Sequence, residues 1–346
     1  MTVGKLLPRG DVVLIPGIMG SSLEGADGDL WGSDFLHNYW QLTSNPTLLH
    51  WQGRRAAAQL IEGIRVWHLP VTFTLWGPVI EKLGSAGFTV QRFGYDWRES
   101  LLSSSEHLVD WLRERLDPPY RLVTHSMGGL LVRVAIGLGL LRPTAIETLI
   151  HVGSPLRGAP SAFAALCGAP SLPLLQQVLR YRYRWRVADY RKILHDAILT
   201  FPSVYQLLPE EDHYLLRGTT WFNPLAERVL SDASMTAANA VHDALRVAEQ
   251  RLTGHPGVFA VYTTSSDSHD TPLGYRIEVV DDGRPHYRVT ETVSETREGD
   301  GTVPATHAVM PSAMPLPVCD VGHSFLCTSR RVAAIVTQTL TARSGG

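Results

Sequence analysis

The chain has 346 residues, with 31 Lys+Arg against 33 Asp+Glu and a formal net charge of −2. That length accommodates one large α/β domain with insertions or two modest ones. The near-neutral balance gives no reason to expect nucleic acid or an acidic surface as a partner. Of the basic residues 28 are Arg and 3 are Lys, a bias of composition more than a binding patch. The three cysteines, Cys167, Cys319 and Cys327, are too few and too sparse to write a disulfide framework.

In chain order, the opening "MTVGKLLPRGDVVLIPG" has too short an apolar run for a signal peptide. The first strand is expected at "DVVLIP" (11–16). Residues 24–76 follow it without a clean period and hold five of the nine tryptophans, a pattern that suits a membrane interface and a plain core equally. "GFTVQRF" (87–93) reads as a strand, and "SSEHLVDWLRERL" (104–116) as a helix with serines at its start and prolines beyond its end. "YRLVTH" (120–125) and "ETLIHVG" (147–153) read as strands around "LLVRVAIGLGLL", which carries Arg133 and is too short to span a bilayer. Residues 160–256 form a second long excursion, helical in places such as 225–252, and excursions of this length are usually lids or binding elements. "GVFAVYT" (257–263) and "PLPVCDV" (315–321) read as strands. Between them, 273–290 reads as a β-hairpin turning at Asp282-Gly283. The last helix is expected over 324–341. Strands alternating with helices predict a mostly parallel sheet covered on both faces, within a single α/β domain spanning 1–346. The expected location is cytosolic.

The stretch "RLVTHSMGGLLVRV" places Ser126 between a strand pattern and a helix pattern, with Gly128 and Gly129 directly after it. A nucleophile elbow needs such a turn, with small residues two before and two after the serine. Thr124 departs from the strict G-x-S-x-G form. Serine needs a base oriented by an acid, and the order along an α/β hydrolase is serine, acid, histidine. Downstream, "EGDGTVP" offers Asp300, and "CDVGHSFL" offers His323 directly after a strand. His307 is the rival base, but it lies seven residues from Asp300 with no strand between them. An oxyanion hole would take the Met127 amide and an amide of "LIPGIMGSSL", namely Ile18. His125 and His151, at strand ends, read as structural or pocket-lining. The glycines of "PGIMG" lack the Lys-Ser/Thr of a phosphate loop. No His-Glu-x-x-His or Cys-x-x-Cys occurs, so neither a metal nor a cofactor is expected.

Taken together, "VVLIPGIMGSSLE", "YDWRES", "THSMGG", "GSPLRGAP", "GDGTVP" and "GHSF" resemble, in the same order, the lecithin–cholesterol acyltransferase family of α/β hydrolases. The resemblance implies an α/β-hydrolase fold and a triad of Ser126, Asp300 and His323. It also implies a hole formed by the Ile18 and Met127 amides, a lipid-contacting role for 24–76 and a lid over 160–256. Asp96 and Arg98 read as an internal ion pair bracing the site. The expected function is a serine acyl-ester hydrolase or O-acyltransferase acting on a lipid-like ester, with peripheral membrane contact. "RYRYRWR" (180–186) could rest on anionic headgroups or be a solvated lid segment. The alternatives are a soluble esterase or thioesterase for a non-lipid metabolite, and a silent binding or scaffold module. Nothing in the sequence speaks to oligomeric state.

Overall fold

The structure is a computed structural model and describes residues 9–65, 72–168, 187–210, 213–225, 231–267, 270–280 and 286–344. "RYRYRWR", Trp67 and the Asp282-Gly283 turn lie outside the described residues.

Six strands form the central sheet, in the spatial order Met314–Cys319, Val258–Ser265, Ile146–Val152, Tyr120–His125, Asp11–Ile15, Thr89–Arg92. Every neighbouring pair is parallel. Parallel strands buried on both faces need apolar residues on both sides of the pleat, and "DVVLI" supplies them: Val12, Val13, Leu14 and Ile15 are all buried. Successive side chains alternate between faces. Val13, Ile15, Leu122 and Leu149 join one core with the helices Leu101–Arg115, Met127–Gly137 and Asp232–Leu252. Val12, Leu14, Val123 and Ile150 join the other, with the helices Gly77–Ser85 and Arg330–Arg343.

Capping residues set the helix boundaries. The third helix begins at Leu101, earlier than its periodicity suggests, because the Ser100 hydroxyl accepts the Leu102 N–H at 3.3 Å. The long helix expected from 225 starts at Asp232, where the Ser231 hydroxyl accepts the Ser234 N–H at 3.3 Å. The last helix, expected over 324–341, is divided. His323–Thr328 is a 3₁₀ turn, and the α-helix runs Arg330–Arg343 behind an extended Ser329 whose hydroxyl accepts the Val332 N–H.

The 24–76 excursion contains short regular elements that its sequence period does not reveal. Ser21–Gly25, Gly28–Trp31 and Ala57–Leu60 form a three-stranded sheet, and Phe35–Ser44 is a helix that buries Asn38, Tyr39 and Leu42. Trp76 is buried, Trp31 and Trp51 are half-buried against the core, and Trp40 is 52% exposed. The strands Thr271–Val280 and His286–Thr296 pair antiparallel and join Leu215–Arg217 and Thr220–Phe222 in a separate four-stranded sheet. The Ser266 N–H donates to the Arg297 carbonyl at 2.8 Å, so the two ends of this insertion meet. Among the described residues no helix is long and apolar enough to cross a membrane.

Candidate active site

Ser126 leaves the C-terminal end of the Tyr120–His125 strand and caps the Met127–Gly137 helix. Its backbone sits at φ 52, ψ −128, a conformation rarely held by a non-glycine residue and kept here by its surroundings. The Ser126 N–H donates to the Val152 carbonyl of the neighbouring strand at 3.0 Å. A Cβ on Gly128 would lie 2.6 Å from the Pro16 carbonyl oxygen, so glycine is what lets the helix start this close to the first strand.

The structure brings Ser126, Asp300 and His323 together. The Ser126 hydroxyl donates to His323 Nε2 at 2.9 Å, and His323 Nδ1–H donates to Asp300 Oδ2 at 2.7 Å. Asp300 Oδ1 accepts the Thr302 and Val303 N–H groups at 3.0 and 2.7 Å. The His323 N–H returns to the Asp300 carbonyl at 2.8 Å. Ser126 and Asp300 are buried, and the His323 side chain is 13% exposed, so the relay lies at the edge of the protein interior. His307 is placed elsewhere: its Nδ1–H donates to the Gly158 carbonyl at 2.8 Å.

Ile18 lies on the loop after the first strand, and Met127 directly follows the serine. A Cβ on Gly17 would fall 2.7 Å from Ser126 Cβ and 3.2 Å from its Oγ, so the loop after the first strand packs directly against Ser126. Met127 is the first residue of the elbow helix, where an N–H has no intrahelical acceptor. Both residues thus lie beside Ser126 in the fold.

Several further residues shape the site. Gly153, at φ 59, passes under the Asp300–His323 pair, and a Cβ there would stand 3.3 Å from Asp300 Oδ2. The Thr271 hydroxyl accepts the Gly301 N–H at 2.8 Å and ties the acid loop to the hairpin. His125 Nε2–H donates to the His323 carbonyl at 3.1 Å while its ring lies 5.1 Å from the His323 ring. The "GSP" glycine was the one signal that could have flagged Gly153; nothing in the sequence singles out Thr271.

Asp96 and Arg98 form a buried bidentate pair, with Nε to Oδ1 at 2.9 Å and Nη2 to Oδ2 at 2.7 Å. Asp96 also accepts the Ala56 N–H at 2.9 Å, and Arg98 donates to the Leu49 carbonyl at 3.3 Å under the Trp51 ring. The pair thus fastens the 24–76 excursion to the body of the domain. Among the described residues no cluster of His, Cys, Asp and Glu is arranged to hold a metal.

His151 and His125 contribute to the acid sensitivity of the fold. Burial first, and the Arg133 guanidinium second, hold His151 well below the ordinary imidazole pKa. Burial first, and the neighbouring His323 second, push His125 down to about 3. Both are neutral in the folded chain and take up a proton on unfolding below about pH 6.5. The unfolded state then binds more protons, so stability is full above that pH and is lost as pH falls below it. Each histidine adds a slope of up to about 1.4 kcal/mol per pH unit. Urea midpoints at pH 7.5 and pH 5 check this, and a midpoint unchanged between them contradicts it.

The all-parallel central sheet, the strained serine at its strand-to-helix turn, and Asp300 and His323 brought beside it from later loops are those of the α/β-hydrolase fold. The structure solved as the Tle4–Tli4 complex has the same fold: it superposes with a TM-score of 0.63 at 13% identity, over 97% of this chain and 99% of that one. The mature form of the Bacillus licheniformis lipase BlEst2 aligns over 98% of this chain and 96% of its own at 13% identity and a TM-score of 0.45. In sequence, residues 114–168 match the PGAP1-like alpha/beta domain. That segment holds the elbow strand, Ser126 and the helix behind it. The chain is also similar to Lecithin-cholesterol acyltransferase-like 4 of Arabidopsis thaliana, 26% identical over 142 residues. This match covers 38% of the chain and spans a quarter of that relative's length.

Proposed function

We propose that the protein is a serine hydrolase that cleaves or transfers acyl groups through an acyl-enzyme on Ser126. The observation that supports it most is the continuous relay from Ser126 Oγ through His323 to Asp300, with the Gly17–Ile18 loop against the serine. As Oγ forms a bond to the ester carbonyl carbon, its proton passes to His323 Nε2. Asp300 holds the imidazole in the right tautomer and stabilises its charged form. The carbonyl oxygen becomes an oxyanion facing the Ile18 and Met127 amides, each worth roughly 3 kcal/mol. The carbon–oxygen bond to the leaving alcohol then breaks, and His323 returns the proton to that alcohol. Water or a second alcohol next gives its proton to His323 and attacks the acyl carbon. Cleavage of the serine ester yields an acid or a new ester and restores the Ser126 hydroxyl.

A lipid-like ester is the proposed substrate class. It is supported by the local similarity to an acyltransferase-like plant protein and by Phe325, 42% exposed two residues beyond His323. The test begins with intact mass after incubation with a fluorophosphonate, where one adduct per chain is expected. A series of p-nitrophenyl esters follows, and activity should rise with acyl length beyond butyrate. A sharp optimum at acetate would move the proposal to a soluble esterase. A chain that takes no adduct, with or without detergent micelles, would favour the scaffold alternative.

A further inference from the structure

The loop that carries Ile18 is held from outside the site, one carbonyl after another. The Gly17 carbonyl accepts the Gly20 N–H at 3.1 Å. A trans peptide sets N–H opposite C=O, so the Ile18 N–H points away from that turn. The Tyr95 hydroxyl donates to the Pro16 carbonyl at 3.1 Å, and the Tyr95 N–H donates to the Ser21 hydroxyl at 3.2 Å. Trp31 Nε1–H reaches the Met19 carbonyl at 3.3 Å, and Trp97 Nε1–H reaches the Ser21 carbonyl at 3.0 Å. The Ile61 N–H takes the Gly20 carbonyl at 2.9 Å. Between these anchors Met19 is kept at φ 59, a left-handed conformation that a non-glycine residue seldom adopts unaided.

Tyr95 is the anchor nearest the reacting atoms, because its acceptor, Pro16, directly precedes the glycine that touches Ser126. The residue is fully buried, and its ring stacks on Phe93 at 6.0 Å. Burial pushes its hydroxyl pKa far up, so the group stays a donor throughout any working pH.

We infer that Tyr95 is a positioning residue for the oxyanion hole, its hydroxyl fixing the Pro16–Gly17 peptide and through it the direction of the Ile18 N–H. The inference rests on the serine-hydrolase function proposed above. An oxyanion donor is effective because it is already aimed before charge develops, and deleting one such donor costs about 10²–10³ in turnover. Loosening a donor that remains present costs less.

Tyr95→Phe removes one oxygen and keeps the ring. The readouts are kcat and KM on a p-nitrophenyl ester, together with the inhibition constant of a trifluoromethyl ketone, whose serine adduct carries the oxyanion. The expected result is a fall in kcat of roughly 10–50-fold with KM within about twofold, since the interaction matters only when charge develops. The trifluoromethyl ketone should weaken by the same factor as kcat/KM. Trp97→Phe, which frees the Ser21 carbonyl at the far end of the loop, should produce the same pattern at smaller size. If Tyr95→Phe lowers the thermal midpoint but leaves the ketone affinity unchanged, the hydroxyl is structural and the inference fails. An active wild type with an equally active Tyr95→Phe overturns the inference alone. A wild type that neither takes the fluorophosphonate nor hydrolyses an ester overturns the proposed function and the inference with it.

Discussion

Ser126→Ala should lower turnover of the best p-nitrophenyl ester by about a million-fold and abolish fluorophosphonate labelling, with the thermal midpoint nearly unchanged. The magnitude follows from the proposed mechanism: without the hydroxyl no acyl-enzyme forms, and the residual rate reflects the oxyanion amides and substrate binding alone. His323→Ala should cost a similar factor, because a serine hydroxyl whose proton has no acceptor is a poor nucleophile. The double variant should be no slower than either single one, since serine and base act as one unit. An additive double loss would mean that the 2.9 Å contact between Ser126 and His323 is not a working relay. Asp300→Asn should fall short of both, with the geometry kept and the imidazole held in the wrong tautomer.

Arg133→Met should be strongly destabilising, by about 3 kcal/mol or more, read as a lowered urea midpoint. The guanidinium is 1% exposed inside the elbow helix, and all three of its nitrogens are used. Nε–H donates to His151 Nε2 at 3.2 Å, Nη1–H to Glu249 at 2.7 Å and Nη2–H to the Ser312 hydroxyl at 2.8 Å. His151 in turn donates Nδ1–H to the Thr124 hydroxyl at 3.0 Å, two residues before the nucleophile. Removing one partner of a buried pair leaves the other charge uncompensated, which costs about 3–5 kcal/mol. Glu249, 17% exposed, keeps some water and places the value at the low end. Arg133→Met combined with Glu249→Leu should recover much of the loss, because no unpaired charge is then left behind. A double variant less stable than Arg133→Met would show that Glu249 has adequate partners without the arginine.

Much of the sheet was legible because parallel strands announce themselves as short β-branched runs between helix patterns. "YRLVTH" coincides with its strand, and the other five central strands differ from their runs by no more than two residues at either end. Ser126, Asp300 and His323 could be singled out because each sits on a glycine-marked loop, in the chain order that the α/β-hydrolase architecture imposes. What could not be read was whatever depends on a partner distant in sequence. Arg133, inside an apolar run, indicated only that the run does not span a membrane, and its partners Glu249 and Ser312 lie more than a hundred residues away. Tyr95 acts through one hydroxyl on a carbonyl 79 residues earlier, which leaves no period behind. The elements of the 24–76 excursion were missed because strands of three to five residues and one ten-residue helix are too short for periodicity to stand above noise.

The serine and its base are 197 residues apart in sequence, and the glycine that touches the serine lies more than a hundred residues before it. Under the proposed mechanism, reactivity is therefore a property of the completed tertiary structure and of no part of it. A partly folded chain that has formed only the elbow strand and helix presents an ordinary serine, inert toward an acyl donor or an electrophilic probe. The rate at which a population of molecules captures a phosphonate thus counts native molecules, and can follow refolding or thermal loss in a mixture where bulk spectroscopy sees only averages.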